Sequence, residues 1–118
     1  NTEINSKIKT DLEKRFRKVE WMSTTKTAEL AKILVDTTYY GWLINYAQIT
    51  KMICEKENVD FDEMWKFADE IHENLGNRPK MFPGIIGGHC VIPNLNLVEY
   101  ENLDVIKTIN EMYEKFKK

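Results

Sequence analysis

The sequence predicts a mainly α-helical domain built around one long helix. Apolar residues recur at spacings of three and four through most of the chain, the period of helices that bury one face. The stretch "KTAELAKILVDTTYYGWLINYAQITKMICEKENV", Lys26 to Val59, contains no proline and has only Gly41 as a weak point, so it reads as a single helix. Against this background stands "MFPGIIGGHCVIPN", Met81 to Asn94, whose three glycines and two prolines do not fit a regular helix.

The elements follow in order. Ile4, Ile8, Leu12 and Phe16 recur every four residues with lysines and acids between them, which predicts an amphipathic helix. "VEWM", Val19 to Met22, has the apolar weight of a short strand or an extended linker. Ser23, Thr24 and Thr25 offer capping hydroxyls to the long helix. At about 1.5 Å per residue, roughly 30 residues span on the order of 45 Å. That exceeds what a small globular domain needs, so the helix reads as a spine or an oligomer contact. Its aromatic belt, Tyr39, Tyr40, Trp42 and Tyr46, calls for a covering partner. Asp60 and Glu63 form a D-x-x-E capping signal before a helix with Phe61, Met64, Trp65, Ala68 and Ile71 on its apolar face, ended by Gly76. A loop is expected from Asn77 to about Asn96. A last helix then carries Leu103, Ile106, Ile109, Met112, Tyr113 and Phe116 on one stripe.

Composition bounds the function. A chain of 118 residues supports one helical domain, 1–118. With 31% charged residues and a net charge of −2 it lacks the basic excess of a nucleic-acid binder. It has no run of 18 apolar residues, and "NTEINSKIKT" is polar, so neither a membrane span nor a signal peptide is expected and the cytoplasm is the default address. Two cysteines, Cys54 and Cys90, make no disulfide framework. The chain opens at Asn1 without a methionine, and a piece of a longer polypeptide is expected.

Cys90 is the first candidate for chemistry. Pro83, Gly84, Gly87, Gly88 and Pro93 impose a shaped backbone, and glycines let main-chain N–H groups approach a bound group. Such a turn can present a thiolate and stabilise an oxyanion beside it. Three readings stay open for Cys90: a nucleophile, a metal ligand and a structural turn. His89 as an imidazolium would favour a thiolate, although adjacent side chains often point apart. One cysteine and one histidine are too few for zinc, and His72 and Cys54 show no ligand spacing, so no metal is expected. Cys54 reads as core filling. Lys32, between Ala31 and Ile33, reads as a lysine that snorkels from a semi-buried face. Glu29, Lys32 and Asp36 share that face, as an ion-pair ladder or the side of a polar pocket. Arg78 and Lys80, on either side of Pro79, can attract phosphate or stand as solvated charges.

Taken together and in this order, "TAELAK" and "PGIIGGHCVIPN" resemble the UDP-glucose/GDP-mannose dehydrogenase family, and the likeness covers most of the chain. Members of that family have an NAD-binding Rossmann domain, a helical central domain and a carboxy-terminal domain that binds the nucleotide sugar. The central domain is of the 6-phosphogluconate-dehydrogenase C-terminal type, built on a long helix. This chain resembles the middle piece: residues 1–22 are similar to the tail of the Rossmann domain and 23–118 to the central domain. "STTKTAELAKI" is similar to the entry into the long helix, Gly87-Gly88-His89-Cys90 to the catalytic-cysteine loop, and Ile109-Asn110-Glu111-Met112 to the helix before the third domain.

The resemblance implies a chemistry. The C6 alcohol of a UDP- or GDP-linked sugar is oxidised twice with two NAD⁺, through a cysteine thiohemiacetal and a thioester, to a uronic acid for surface polysaccharide. It implies that Cys90 is the nucleophile and that Lys32 stabilises the oxyanion. Gly87, Gly88, His89 and Phe82 would close on the sugar, and a homodimer would form through the long helix. Two candidate catalytic positions depart from the pattern. Asp36 stands where the family commonly has asparagine and adds a negative charge near a forming thiolate. Asn94 stands where the family commonly has aspartate, and Pro93 falls one place later than usual. The alternative is therefore a catalytically degenerate homologue that serves in dimerisation or ligand binding. A third reading is a structural helical protein whose glycine segment reverses the chain. Without cofactor- and nucleotide-binding domains, these residues alone are expected to be inactive.

Overall fold

The computed structural model describes residues 2–118. Its elements are all helical: α1 (Thr2–Glu13), α2 (Thr25–Leu30), a π-helical segment (Ala31–Thr38), α3 (Tyr39–Glu57), α4 (Phe61–Leu75), α5 (Val91–Val98), a 3-10 turn (Glu101–Leu103) and α6 (Asp104–Lys117). The described residues contain no strand, and Val19–Met22 lies outside every helix. The chain divides into two compact units, the first ending at Leu30 and the second running Ala31–Lys118. This boundary falls inside the stretch read as one long helix.

In the first unit, α1 has the expected apolar stripe but buries none of it: Ile4, Ile8 and Leu12 are all exposed. Its side-chain hydrogen bonds run back along the same helix. The Ser6 hydroxyl donates to the Thr2 carbonyl and the Thr10 hydroxyl to the Ser6 carbonyl, each at 2.9 Å. The capping expectation is met at Thr24, whose Oγ1 accepts from the Thr27 N–H at 3.0 Å as α2 begins.

The second unit is organised by α3. Two apolar clusters form along it. One joins Ile86, Val91, Leu95 and Ile106, flanked by Ile44, Ile92 and Leu103. The other joins Ala47, Cys54 and Phe61, flanked by Trp65 and Met81. Burying each large side chain of this kind contributes about 1.5–3 kcal/mol. The α3 helix ends at Asn58, whose left-handed backbone (φ 57°) lets the Val59 N–H return to the Cys54 carbonyl at 2.8 Å. Asp60 then caps α4, accepting from the Glu63 N–H at 2.7 Å, and Gly76 (φ 69°) ends it, both as the sequence predicts.

Two features differ from expectation. The long helix contains a π-helical segment, a rare winding frequent at functional sites. Its composition explains part of this. Ile33, Val35, Thr37 and Thr38 are β-branched and crowd an α-helix, and the Thr38 hydroxyl donates to the Leu34 carbonyl at 3.4 Å, competing with the α-helical backbone bond there. The loop expected to run to Asn96 instead folds into α5 from Val91. Pro93 does not prevent this, because it sits in the first turn, where its missing N–H has no intrahelical partner to lose. The first helical bond is made by the next residue, from the Asn94 N–H to the Cys90 carbonyl at 3.2 Å.

Candidate functional site

The site is assembled from the π-helical segment and the turn Gly87–Cys90. Lys32 and Asp36 are four residues apart and form an ion pair through Lys32 Nζ and Asp36 Oδ2. Both side chains are largely exposed, so the pair adds little stability and its interest lies in its position. Opposite stands Cys90, exposed and outside any disulfide, at the N-cap position of α5. A groove of about 370 Å³ is lined by Lys32, Asp36, Thr37 and Tyr40 from the helix and by Gly87, His89 and Cys90 from the turn. Ile44, Ile86 and Val91 form its apolar floor.

The groove therefore brings together five of the predicted residues: Lys32, Asp36, Gly87, His89 and Cys90. It does not take in the other three. Gly88 lines a neighbouring groove on the α6 side, with Lys107, Asn110 and Glu111. Phe82 is 65% exposed and lies under the Lys80 ammonium, 5.8 Å from the ring centroid. Asn94 turns back on its own helix, its Nδ2 donating to the Cys90 carbonyl at 2.7 Å. Cys54 is buried as expected, with its thiol directed at the Met64 sulfur at 3.6 Å. Among the described residues no group of three or more histidines, cysteines or acids is arranged to hold a metal ion.

Sequence reasoning missed what holds the turn in place. Segment Pro83–Ile86 is gripped by polar side chains from α3 and α6. Asn110 Oδ1 accepts from the Ile86 N–H at 2.7 Å, and Asn110 Nδ2 donates to the Ile86 carbonyl at 3.1 Å. Gln48 Nε2 donates to the Gly84 carbonyl at 2.7 Å and to Asn110 Oδ1 at 3.0 Å. Asn45 completes the set, donating to Gln48 Oε1 and to the Ile106 carbonyl. All three amides are buried. The available signal was their spacing: Gly41, Asn45 and Gln48 lie at i, i+4 and i+7 on one face of α3, opposite the exposed aromatics.

Gly41 has a specific reason to be glycine. A Cβ there would lie 2.6 Å from Val91 Cγ1, so the absent side chain is what lets the start of α5 seat against α3. Cys90 is the residue immediately before this contact.

Chemically, the arrangement offers a nucleophilic sulfur, an ammonium and an imidazole on the wall of one groove. A thiolate there can add to a carbonyl carbon, with an ammonium available to the resulting oxyanion. Comparison with protein-family descriptions, with curated proteins and with solved structures finds no match to this chain. The class that fold and site define is a helical domain presenting an exposed cysteine beside a lysine–aspartate pair. No helix among the described residues is long and apolar enough to cross a membrane.

Proposed function

We propose that this chain is the central, cysteine-bearing domain of an NAD-dependent nucleotide-sugar 6-dehydrogenase-like protein of the cytoplasm, acting on a UDP- or GDP-linked sugar. The observation that carries the reading is the convergence of Lys32 and Cys90 on one groove, although 58 residues separate them in the chain. In this reading the Cys90 thiolate adds to the C6 aldehyde carbon of the sugar, forming a C–S bond and moving the carbonyl electron pair onto oxygen. Lys32 then faces that oxygen, and the turn at Gly87 leaves room for the sugar. The described residues contain no strand and no glycine-rich strand-to-helix turn, so they do not fit NAD, which is assigned to a separate domain. Replacing Cys90 by serine in the full-length protein should abolish uronic acid formation; turnover that survives the change would rule out the nucleophile.

A second reading, a degenerate homologue serving in assembly or ligand binding, is favoured by two observations. The Lys32 amine is already engaged by Asp36, and Asn94 is spent on the Cys90 carbonyl instead of facing the groove. The Asp36→Asn variant separates the two. If the groove is catalytic, removing this carboxylate should free Lys32 for the oxyanion and raise the rate of uronic acid formation by the full-length protein. No change in rate would favour the assembly reading.

Assembly is proposed through the exposed face of α3. Tyr39, Tyr40, Trp42 and Tyr46 are each more than 40% exposed, the composition of a surface that meets a partner. A second copy is the proposed partner. Analytical ultracentrifugation should show a dimer that Trp42→Glu dissociates, and a monomer at every concentration would remove this part of the proposal.

A further inference from the structure

We infer that Asn110 and Gln48 are positioning residues for the Cys90 thiol, acting through the backbone of the segment that carries it. The turn Gly87–Cys90 is exposed at every residue, yet it is strung between two buried anchors, Ile86 and Val91. The second anchor is steric: Val91 seats against the bare backbone of Gly41. The first is polar, since Ile86 would be held only by its side chain if its N–H and carbonyl were not both taken by the Asn110 amide.

A side-chain amide that donates and accepts on the same residue reproduces the pairing of a neighbouring strand, and this segment has no strand beside it. Gln48 orients that amide. By donating to Asn110 Oδ1 it leaves Asn110 Nδ2 as the group that meets the Ile86 carbonyl, and it takes the Gly84 carbonyl with its other N–H. Both ends of the extended segment are thereby fixed to α3 and α6. Only three residues separate this grip from Cys90, and glycines at two of them would otherwise leave the backbone free. The groups that share the groove with the sulfur are Lys32, Asp36 and Tyr40 from the helix and His89 from the turn. A shift of the turn changes the sulfur's distance to the three on the helix.

The test uses the full chain and its own internal control. Cys54 is 1% exposed, so its resistance to iodoacetamide reports that the fold is intact. Asn110→Asp keeps the size and the acceptor but removes the donor to the Ile86 carbonyl, and Gln48→Glu removes the donors to Gly84 and Asn110. With Cys54 still protected, either variant should change the Cys90 alkylation rate by at least about threefold and displace its pH–rate profile. A merely structural grip would leave both untouched: rates within about 1.5-fold and superimposable profiles in the folded variants overturn the inference.

If both variants expose Cys54, the decision passes to the unaltered chain. Its Ile86 amide must exchange as slowly as that of Ile109, buried beyond the first turn of α6, and its Cys90 profile must differ between native buffer and concentrated urea. Absence of either result overturns the inference. The consequence for turnover rests on Cys90 being the nucleophile. Alkylation needs neither cofactor nor sugar, so a full-length protein without dehydrogenase activity leaves the positioning result standing.

Discussion

Cys90 and Cys54 differ by environment alone, and the difference is measurable. Cys54 sits under Phe61 in the cluster that joins α3 to α4, and Cys90 stands exposed at the start of α5. Alkylation of the native chain should label Cys90 at least about a hundredfold faster than Cys54, because Cys54 reacts only through opening of the core. Mass spectrometry of the labelled peptides reads this directly, and equal rates would contradict the core assignment. Lys51 and Glu55 provide a second test at this scale. They pair at 2.6 Å, which holds the Glu55 carboxyl below its usual range and the Lys51 ammonium above its own. A carboxylate lowered by folding stabilises the folded state above its unfolded value, and that contribution is lost as pH falls through the lower, folded one. Thermal melts should therefore show Glu55→Gln slightly less stable than the parent at pH 7, with the gap closing in acid. A gap that widens in acid would contradict the pairing.

At the scale of elements, the helices owe their ends to single residues. Asp60→Ala removes the acceptor for the Glu63 N–H and should cost about 1 kcal/mol in chemical denaturation, within the roughly 0.5–2 kcal/mol range of lost caps. Gly41→Ala poses the opposite problem, since a methyl group there enters the space of Val91. Overpacking of this kind costs about 1–3 kcal/mol, and here it should also disturb Cys90, one residue from the contact. A Gly41→Ala chain as stable as the parent, with unchanged Cys90 reactivity, would show that α5 can move away freely. The π-helical segment has a positional consequence: Lys32 and Asp36 belong to it, so the groove wall is built from an irregular winding and not from the regular part of α3.

At the scale of the molecule, the division at Leu30 predicts how the chain comes apart. Residues 14–24 lie outside the helices, carry Lys14, Arg15, Arg17 and Lys18, and are exposed except for a partly covered Val19. Limited trypsin digestion should cut there first and leave a resistant product containing the whole of Ala31–Lys118. Early cleavage at Lys107 or Lys115, within α6, would contradict the compactness of the second unit.

What could be read from the chain depended on how local its cause was. The α4 helix was legible from end to end, because Asp60, the stripe beginning at Phe61 and Gly76 each act within a turn of their neighbours. The last helix was legible in place but not in detail. Met112 is 54% exposed, and Asn110 is buried where the apolar stripe alone was expected. Prolines and glycines concealed α5, since the sequence pattern does not say that Pro93 falls in a first turn. Of the candidate site, the residue types at Lys32, His89 and Cys90 were legible, and their meeting in one groove was not.

The sequence by itself determined the helical character, the caps of α4 and the buried place of Cys54, because periodicity and capping chemistry act over a few residues. Only the tertiary structure decided that Asn45, Gln48 and Asn110 lie inside, that Gly41 admits Val91, and that the thiol shares a groove with Lys32 and Asp36. An amide in a helix looks like solvent-facing surface until a distant backbone segment arrives to use its donor and acceptor, and that segment lies 24 residues from Asn110 and 36 from Gln48.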